Sequence, residues 1–191
     1  MTRRFWFAVL NSAGLIPLAL CLGCAAATIP INYSAQNLVK LQGKVAIGTF
    51  SYRPADEKKV KPNQIQNTAM GRIFVGVDIK DFVKRATALE LEKSGIVITE
   101  TAPVILHGEV QEFKADDFGY SVDWSYSIKY QLEQMGTSKT LLDKVYVADR
   151  KKTGKTGAAA DFSPSINEMI LSAFEKFMND HDAREILKNG A

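Results

Sequence analysis

Between Tyr120 and Glu133 the sequence alternates without a break. Tyr120, Val122, Trp124, Tyr126, Ile128, Tyr130 and Leu132 stand at one parity, and Ser121, Asp123, Ser125, Ser127, Lys129, Gln131 and Glu133 at the other. Successive side chains of a strand point to opposite faces, so this stretch is a strand with one apolar face and one wet face. A strand wetted on one side belongs to an antiparallel sheet. The apolar face of that sheet needs a second layer to cover it.

Two segments have the helical period to supply that layer. Asp78 can cap a helix in which Ile79, Phe82, Val83, Ala86 and Leu89 recur at near-helical spacing until Ser94-Gly95 stops it. Lys80, Lys84, Glu90, Glu92 and Lys93 fall on its wet side. Ser163-Pro164 gives an N-cap followed by proline at the first helical position. Ile166, Met169, Ile170, Ala173, Phe174, Phe177 and Met178 then form the stripe of a second helix, and a short polar tail follows.

The remaining strands are shorter. Lys44 to Phe50 is a β-rich run, and Arg72 to Val77 predicts a second one. Ile96 to Thr99 is a third. Pro103 to Lys114 places Val104, Leu106 and Val110 on one face and His107, Glu109 and Gln111 on the other. After a turn at Met135 to Ser138, Lys139 to Arg150 reads as a partner strand with Leu141, Val145 and Val147 on one side. Residues 53–70 read as a long polar loop, of the kind that is mobile or used for binding. Lys151 to Gly157 reads as a basic, glycine-containing loop. The expected architecture is α+β: a two-layer sandwich, with a mainly antiparallel sheet packed by two amphipathic helices, in one domain over residues 43–191. An apolar content of 46% against 24% charged residues excludes a collagen-like or wholly disordered chain.

Ahead of that domain lies an address. Arg3 and Arg4 precede a mostly apolar stretch from Phe5 to Leu22, and the helix-breaking Gly14 and Pro17 disfavour a stable spanning helix. The stretch closes in Leu20-Cys21-Leu22-Gly23-Cys24. This ending resembles the lipobox of bacterial lipoproteins, in which the cysteine after a small residue takes diacylglycerol and becomes the first residue of the mature chain. The family usually has Leu, Val or Ile where Cys21 stands. The resemblance implies a signal peptide over residues 1–23, lipidation at Cys24, and a tether over 24–42 attached to a membrane through acyl chains such as palmitate. Other uses of the two cysteines are a redox pair, a zinc site, or incidental residues of an ordinary signal or uncleaved anchor. The first lacks a βαβ setting and the second lacks nearby ligands. Removal of residues 1–23 takes Arg3 and Arg4 away, so the formal charge of +3 falls to +1 over the remaining 168 residues, with no free thiol left.

Chemistry finds little support in the residues. Only His107 and His181 could serve as imidazole bases, and they stand isolated in sequence. Gly154-Lys155-Thr156 imitates the end of a phosphate loop, but Asp149 occupies the place of the required glycine. Asp116-Asp117 beside Phe118-Gly119 reads as a solvated turn. The aromatic alternation reads as core rather than as a platform for stacking bases. The expectation is a non-enzyme with no cofactor, no metal and no nucleic-acid partner.

The combined pattern resembles small outer-membrane lipoproteins of the YajG-like group and, more loosely, auxiliary lipoproteins of ABC-type lipid transport and the N-terminal domain of TolB. The likeness rests on the Cys24 leader, the Lys44 to Phe50 strand, DFVKRATALELEKSG, ILHGEVQEF, SVDWSYSIKYQLE and SINEMILSAFEKFM. It implies a lipid-anchored, periplasm-facing interaction or assembly module of the cell envelope. A carrier of lipid or another hydrophobic ligand for a transport system is the alternative. Ala25 follows Cys24, where an Asp would favour the inner membrane, so the resemblance points to the outer membrane, with the inner membrane as the second possibility. An envelope protein is the expected partner, through residues 53–70, the Asp116 to Gly119 turn or an exposed sheet edge.

Overall fold

The computed structural model describes residues 27–30, 32–67, 72–154 and 159–189. Its spine is one long antiparallel hairpin, β6 (Val104–Phe118) and β7 (Ser121–Gln134), in register from Val104 opposite Gln134 to Phe118 opposite Ser121. A bulge interrupts the ladder between Val110 and Glu112. The free edge of β7 is taken by two strands in tandem. β8 (Lys139–Val147) pairs with Ser127–Gln134, and β9 (Lys151–Gly154) with Ser121–Trp124.

Across β6 the sheet becomes mixed. β2 (Gly43–Tyr52) and β3 (Gln64–Asn67) both lie parallel to β6, one beyond the other along its length. β5 (Ile96–Ile98) extends the sheet parallel to β2. β4 (Ile73–Val75) runs antiparallel to β3, and β1 (Ala27–Ile29) runs parallel to β4. Most paired residues are antiparallel, as expected. The parallel joints come from short strands whose pattern does not announce a partner.

One face of this sheet is covered by α2 (Ile79–Ser94) and α3 (Ser163–Asn179), and α4 (His181–Asn189) closes one end. The inward side chains of β7, from Val122 to Leu132 at alternate positions, are all 1% exposed or less. Their rings pack edge-on or tilted: Phe113 on Tyr126 at 5.1 Å, Trp124 on Phe162 at 5.6 Å and Tyr130 on Phe177 at 4.7 Å between centroids. The two-layer α+β architecture is thus as the periodicity predicts.

Several local readings need correction. Tyr120 does not join the apolar face; it lies in the hairpin turn and is 97% exposed. β8 buries the opposite parity from the one expected. Leu142 and Tyr146 go inward while Val145 and Val147 are exposed, because a register shift opposite Leu132 and Glu133 resets the alternation. Residues 53–70 are not one long loop, since they hold a single helical turn, α1 (Arg53–Asp56), and β3. The start of the basic loop at Lys151 is β9. The polar tail is α4, capped by Asp180, whose carboxylate accepts the N–H groups of Asp182 at 2.9 Å and Ala183 at 3.1 Å. The end of α4 lies so close to β2 that a Cβ on Gly43 would sit 2.2 Å from the Leu187 carbonyl oxygen.

Candidate functional site

Among the described residues α2, α3 and α4 lie on one face, so there the wet parity of the hairpin forms an open sheet surface. Its side chains come from β2 (Thr49, Ser51), β6 (His107, Glu109, Glu112, Lys114, Asp116) and β7 (Asp123, Ser125, Lys129, Gln131, Glu133). Opposite charges meet on this surface both between and along strands, although Asp116 stands directly opposite Asp123. Glu109 meets Lys129 at 3.4 Å and Arg53 at 3.7 Å, Lys114 meets Asp116 at 2.7 Å, and Lys152 meets Asp123 at 3.6 Å. Two polar hollows, of about 330 and 420 Å³, lie on this surface. The smaller centres on His107, and the larger lies between Glu112, Asp123 and the stretch Arg150 to Lys152.

His107 has a structural task. Its Nδ1 accepts the Thr49 peptide N–H at 3.1 Å and lies 2.9 Å from the Thr49 hydroxyl, at the place where the β2–β6 register shifts between Ile47 and Phe50. The ring replaces a ladder bond that the bulge removes. An imidazole accepting at Nδ1 carries its proton on Nε2, which lies 3.8 Å from Glu133, beyond hydrogen-bond length. The lone pair that a base would use is therefore already engaged. His181 is exposed at the first position of α4. Among the described residues no three His, Cys, Asp or Glu side chains come together in a way that could hold a metal.

On the covered side, a second polar group was missed by the sequence reading. Glu90, assigned to the wet side of α2, is fully buried. Its Oε1 accepts the Tyr33 hydroxyl at 2.6 Å and the Gln36 N–H at 3.0 Å, and its Oε2 accepts the Asn37 N–H at 2.9 Å. Burial, together with the bond to Glu90, pushes the Tyr33 hydroxyl far above its usual range. Asn37 Nδ2 donates to Ser94 Oγ at 2.6 Å, and Leu41 N–H to the Ser94 carbonyl at 3.0 Å. The segment from Tyr33 to Leu41 is thus a strap fastened to the C-terminal half of α2, and β1 before it adds a strand to the sheet. β1 and the strap do not behave as the free tether that their composition suggests. The signal was present in the spacing: Ile79, Phe82, Val83, Ala86, Thr87, Glu90, Leu91 and Ser94 make one continuous buried stripe, three of whose members are polar.

No family model matches the chain, and no curated protein sequence does. Solved structures do match in shape. Its fold is similar to that of a Xanthomonas campestris protein of DUF330. That crystal structure superposes with a TM-score of 0.62 at 10% identity, over 86% of this chain and 97% of the other. A lipoprotein from Neisseria meningitidis gives a TM-score of 0.41 at 10% identity, over 72% of this chain and 99% of that one. The first comparison shares the fold over nearly the whole partner.

The other residues singled out from the sequence are scattered. Cys24, Cys21 and residues 1–23 lie outside the described residues, as do Lys155 and Thr156. Asp116 and Asp117 are not a loose turn but the end of β6, and only Gly119 and Tyr120 link the two long strands. The aromatic row of β7 is core. Among the described residues no helix is long and apolar enough to cross a membrane.

Proposed function

We propose that the protein is an envelope lipoprotein, acylated at Cys24 and facing the periplasm from the outer membrane, that works without catalysis by docking another envelope protein. The observation that carries the docking reading is β8. Among the described residues it pairs with β7 alone; at the end of its outer edge the Val147 carbonyl accepts the Lys176 ammonium at 2.8 Å, and beside that edge Val145 and Val147 are 47% and 56% exposed on an otherwise polar sheet surface. An edge strand accepts a partner strand through main-chain bonds, and adjacent apolar side chains add selectivity. The YajG-like resemblance and the lipobox at Cys24 support the location.

Photo-crosslinking in cells tests the contact surface. A benzophenone side chain at Val147 should capture a discrete partner, whereas one at Lys80 on the outer side of α2 should not. No partner at Val145 or Val147 would defeat the docking reading. Fatty-acid labelling that is equal in the natural chain and in Cys24→Ser would defeat the anchor.

The carrier alternative has one observation in its favour. A shallow groove of about 460 Å³ between α2 and the β2–β5 edge has Ile47, Ala88 and Ile98 in its floor and Asp81, Lys84, Arg85 and Glu92 around it. Lipid retained on the purified protein, seen by native mass spectrometry, would promote that reading.

A further inference from the structure

The strap fixes how far the fold can stand from a lipid on Cys24. A free coil over residues 24–42 would let the domain wander by roughly 25 Å, at about 5–6 Å times the square root of the residue number. The pairing of β1 and the fastening of the strap to α2 remove nearly all of that freedom. Three peptide links separate Cys24 from Ala27, so their Cα atoms are at most about 11 Å apart.

The ladder also shows which end of the molecule faces the anchor. Ala27 pairs with Ile73, Ile73 with Ile65, and Ile65 precedes Gln66, the partner of Lys114. Ala27 therefore stands level with Phe113. β1 runs opposite to β6, so the Ala27 end of β1 faces the way β6 points, toward the hairpin tip. That tip lies five residues beyond Phe113, about 17 Å at roughly 3.3 Å per residue. It thus overhangs the start of β1 by more than the anchor can extend. At its apex, after Gly119 with φ of +66°, Tyr120 presents its ring to solvent at 97% exposure, where it has no packing task.

We propose that the β6–β7 tip rests on the lipid bilayer, with the Tyr120 ring seated among the headgroups and the long hairpin standing away from the membrane. Tyrosine favours that interfacial depth because its ring is apolar and its hydroxyl is wet. Among the described side chains behind the tip, Lys114 pairs with Asp116 and Lys152 with Asp123. The contact therefore depends on the ring rather than on anionic lipid, and it persists on phosphatidylcholine and at raised salt. The turn at Met135 to Ser138 stands roughly 45 Å from the tip at about 3.4 Å per residue. This orientation rests on acylation of Cys24 and extends that reading.

The test uses the full lipid-bearing chain reconstituted in phosphatidylcholine vesicles that contain a headgroup-nitroxide lipid. Once the leader is removed, Cys24 is the sole native cysteine, so one added thiol can carry a fluorophore. The dye on Ser121→Cys should lose most of its emission, and on Thr137→Cys it should lose none. Adding Tyr120→Ser should restore much of the emission at 121. A flexible insertion of about 20 Gly and Ser residues before Ala27 should do the same while flotation with vesicles continues. Flotation with equal emission at both positions overturns the orientation and leaves the anchor standing. Failure to float, with no Cys24-dependent lipid, overturns the anchor itself and the orientation with it.

Discussion

The two faces of β7 have the same backbone and opposite duties. Inward, Val122, Trp124, Tyr126, Ile128, Tyr130 and Leu132 are sealed under α2 and α3; outward, Ser121, Asp123, Ser125, Lys129, Gln131 and Glu133 line an open surface of mixed charge. Burial of large aromatic groups stabilises in proportion to the area removed from water, whereas exposed ion pairs contribute little. One face therefore holds the fold, and the other is left available for contact. The sharpest way to break this contrast is Trp124→Ala. It removes a ring packed on Phe162 and an indole N–H donated to Thr153 Oγ1 at 2.9 Å, which also ties β9 to β7. We expect a loss of about 3–5 kcal/mol in urea unfolding. A loss under about 1 kcal/mol would mean that the covered face is not the core.

Glu90 tests whether the covered side tolerates a polar group only because it is fully partnered. Glu90→Ala leaves the Tyr33 hydroxyl and two peptide N–H groups without acceptors, at a cost of about 3 kcal/mol. The loss should be local, with faster amide exchange from Tyr33 to Leu41 and little change in β7. Uniform acceleration across the sheet would instead make the strap part of the main cooperative unit.

Asp180 gives a smaller, pH-dependent effect. Burial alone would raise its carboxyl group, but the Ala183 and Asp182 N–H groups and the Lys144 ammonium outweigh this and hold it below the usual carboxylate range. A lowered folded value stabilises above the unfolded carboxylate range near about 3.9 and is lost as pH falls through the folded value. Asp180→Ala should cost about 1 kcal/mol at neutral pH, through loss of the α4 cap. Thermal melts of the natural chain and the variant should converge in acid. A gap that is constant with pH would remove the charge from the explanation.

What the sequence could show follows the same division. β7, α2 and α3 were legible because each buries a long run at its own period, so the pattern and the packing agree. β1, β3 and β9 were not: three or four residues carry no period, and neighbouring strands hold them. β8 misled because Val145 and Val147 look like core while a register shift hands that role to Leu142 and Tyr146. Glu90 misled because a charged residue at a buried helical position reads as a shift to the wet side; its acceptors' partners lie more than fifty positions away in sequence. The open face was readable as polar, but its hollows depend on which strands the pairing brings side by side, β2 with β6 and β7 in one and β6 with β7 and the stretch Arg150 to Lys152 in the other. Cys24 was readable only as a motif.

Two tyrosines on the covered face sharpen the comparison at lower energy. The Tyr130 hydroxyl lies 2.9 Å from the Thr87 hydroxyl, whereas the buried Tyr126 hydroxyl has no partner among the described residues. Burial raises both hydroxyls above their usual range, and in Tyr130 the bond to Thr87 partly offsets it. Tyr130→Phe should therefore cost about 1 kcal/mol, and Tyr126→Phe should be neutral or stabilising, since it deletes a group desolvated for no return. Equal losses would show that Tyr126 finds an acceptor in solution, such as a bound water.

The smallest effect belongs to the open face. Lys129 and Glu109 meet at 3.4 Å with side chains 29% and 28% exposed. Water screens such a pair, so a double-mutant cycle of Lys129→Ala and Glu109→Ala should give a coupling below about 1 kcal/mol, falling further with salt. Glu109 also faces Arg53 at 3.7 Å, so part of its interaction survives the loss of Lys129 and the single variants should differ. If the cycle instead gave a coupling of the size expected at a buried pair, the open face would be contributing to the fold. Its side chains would then be constrained by stability, and the argument that this surface is available for a partner would lose its physical basis.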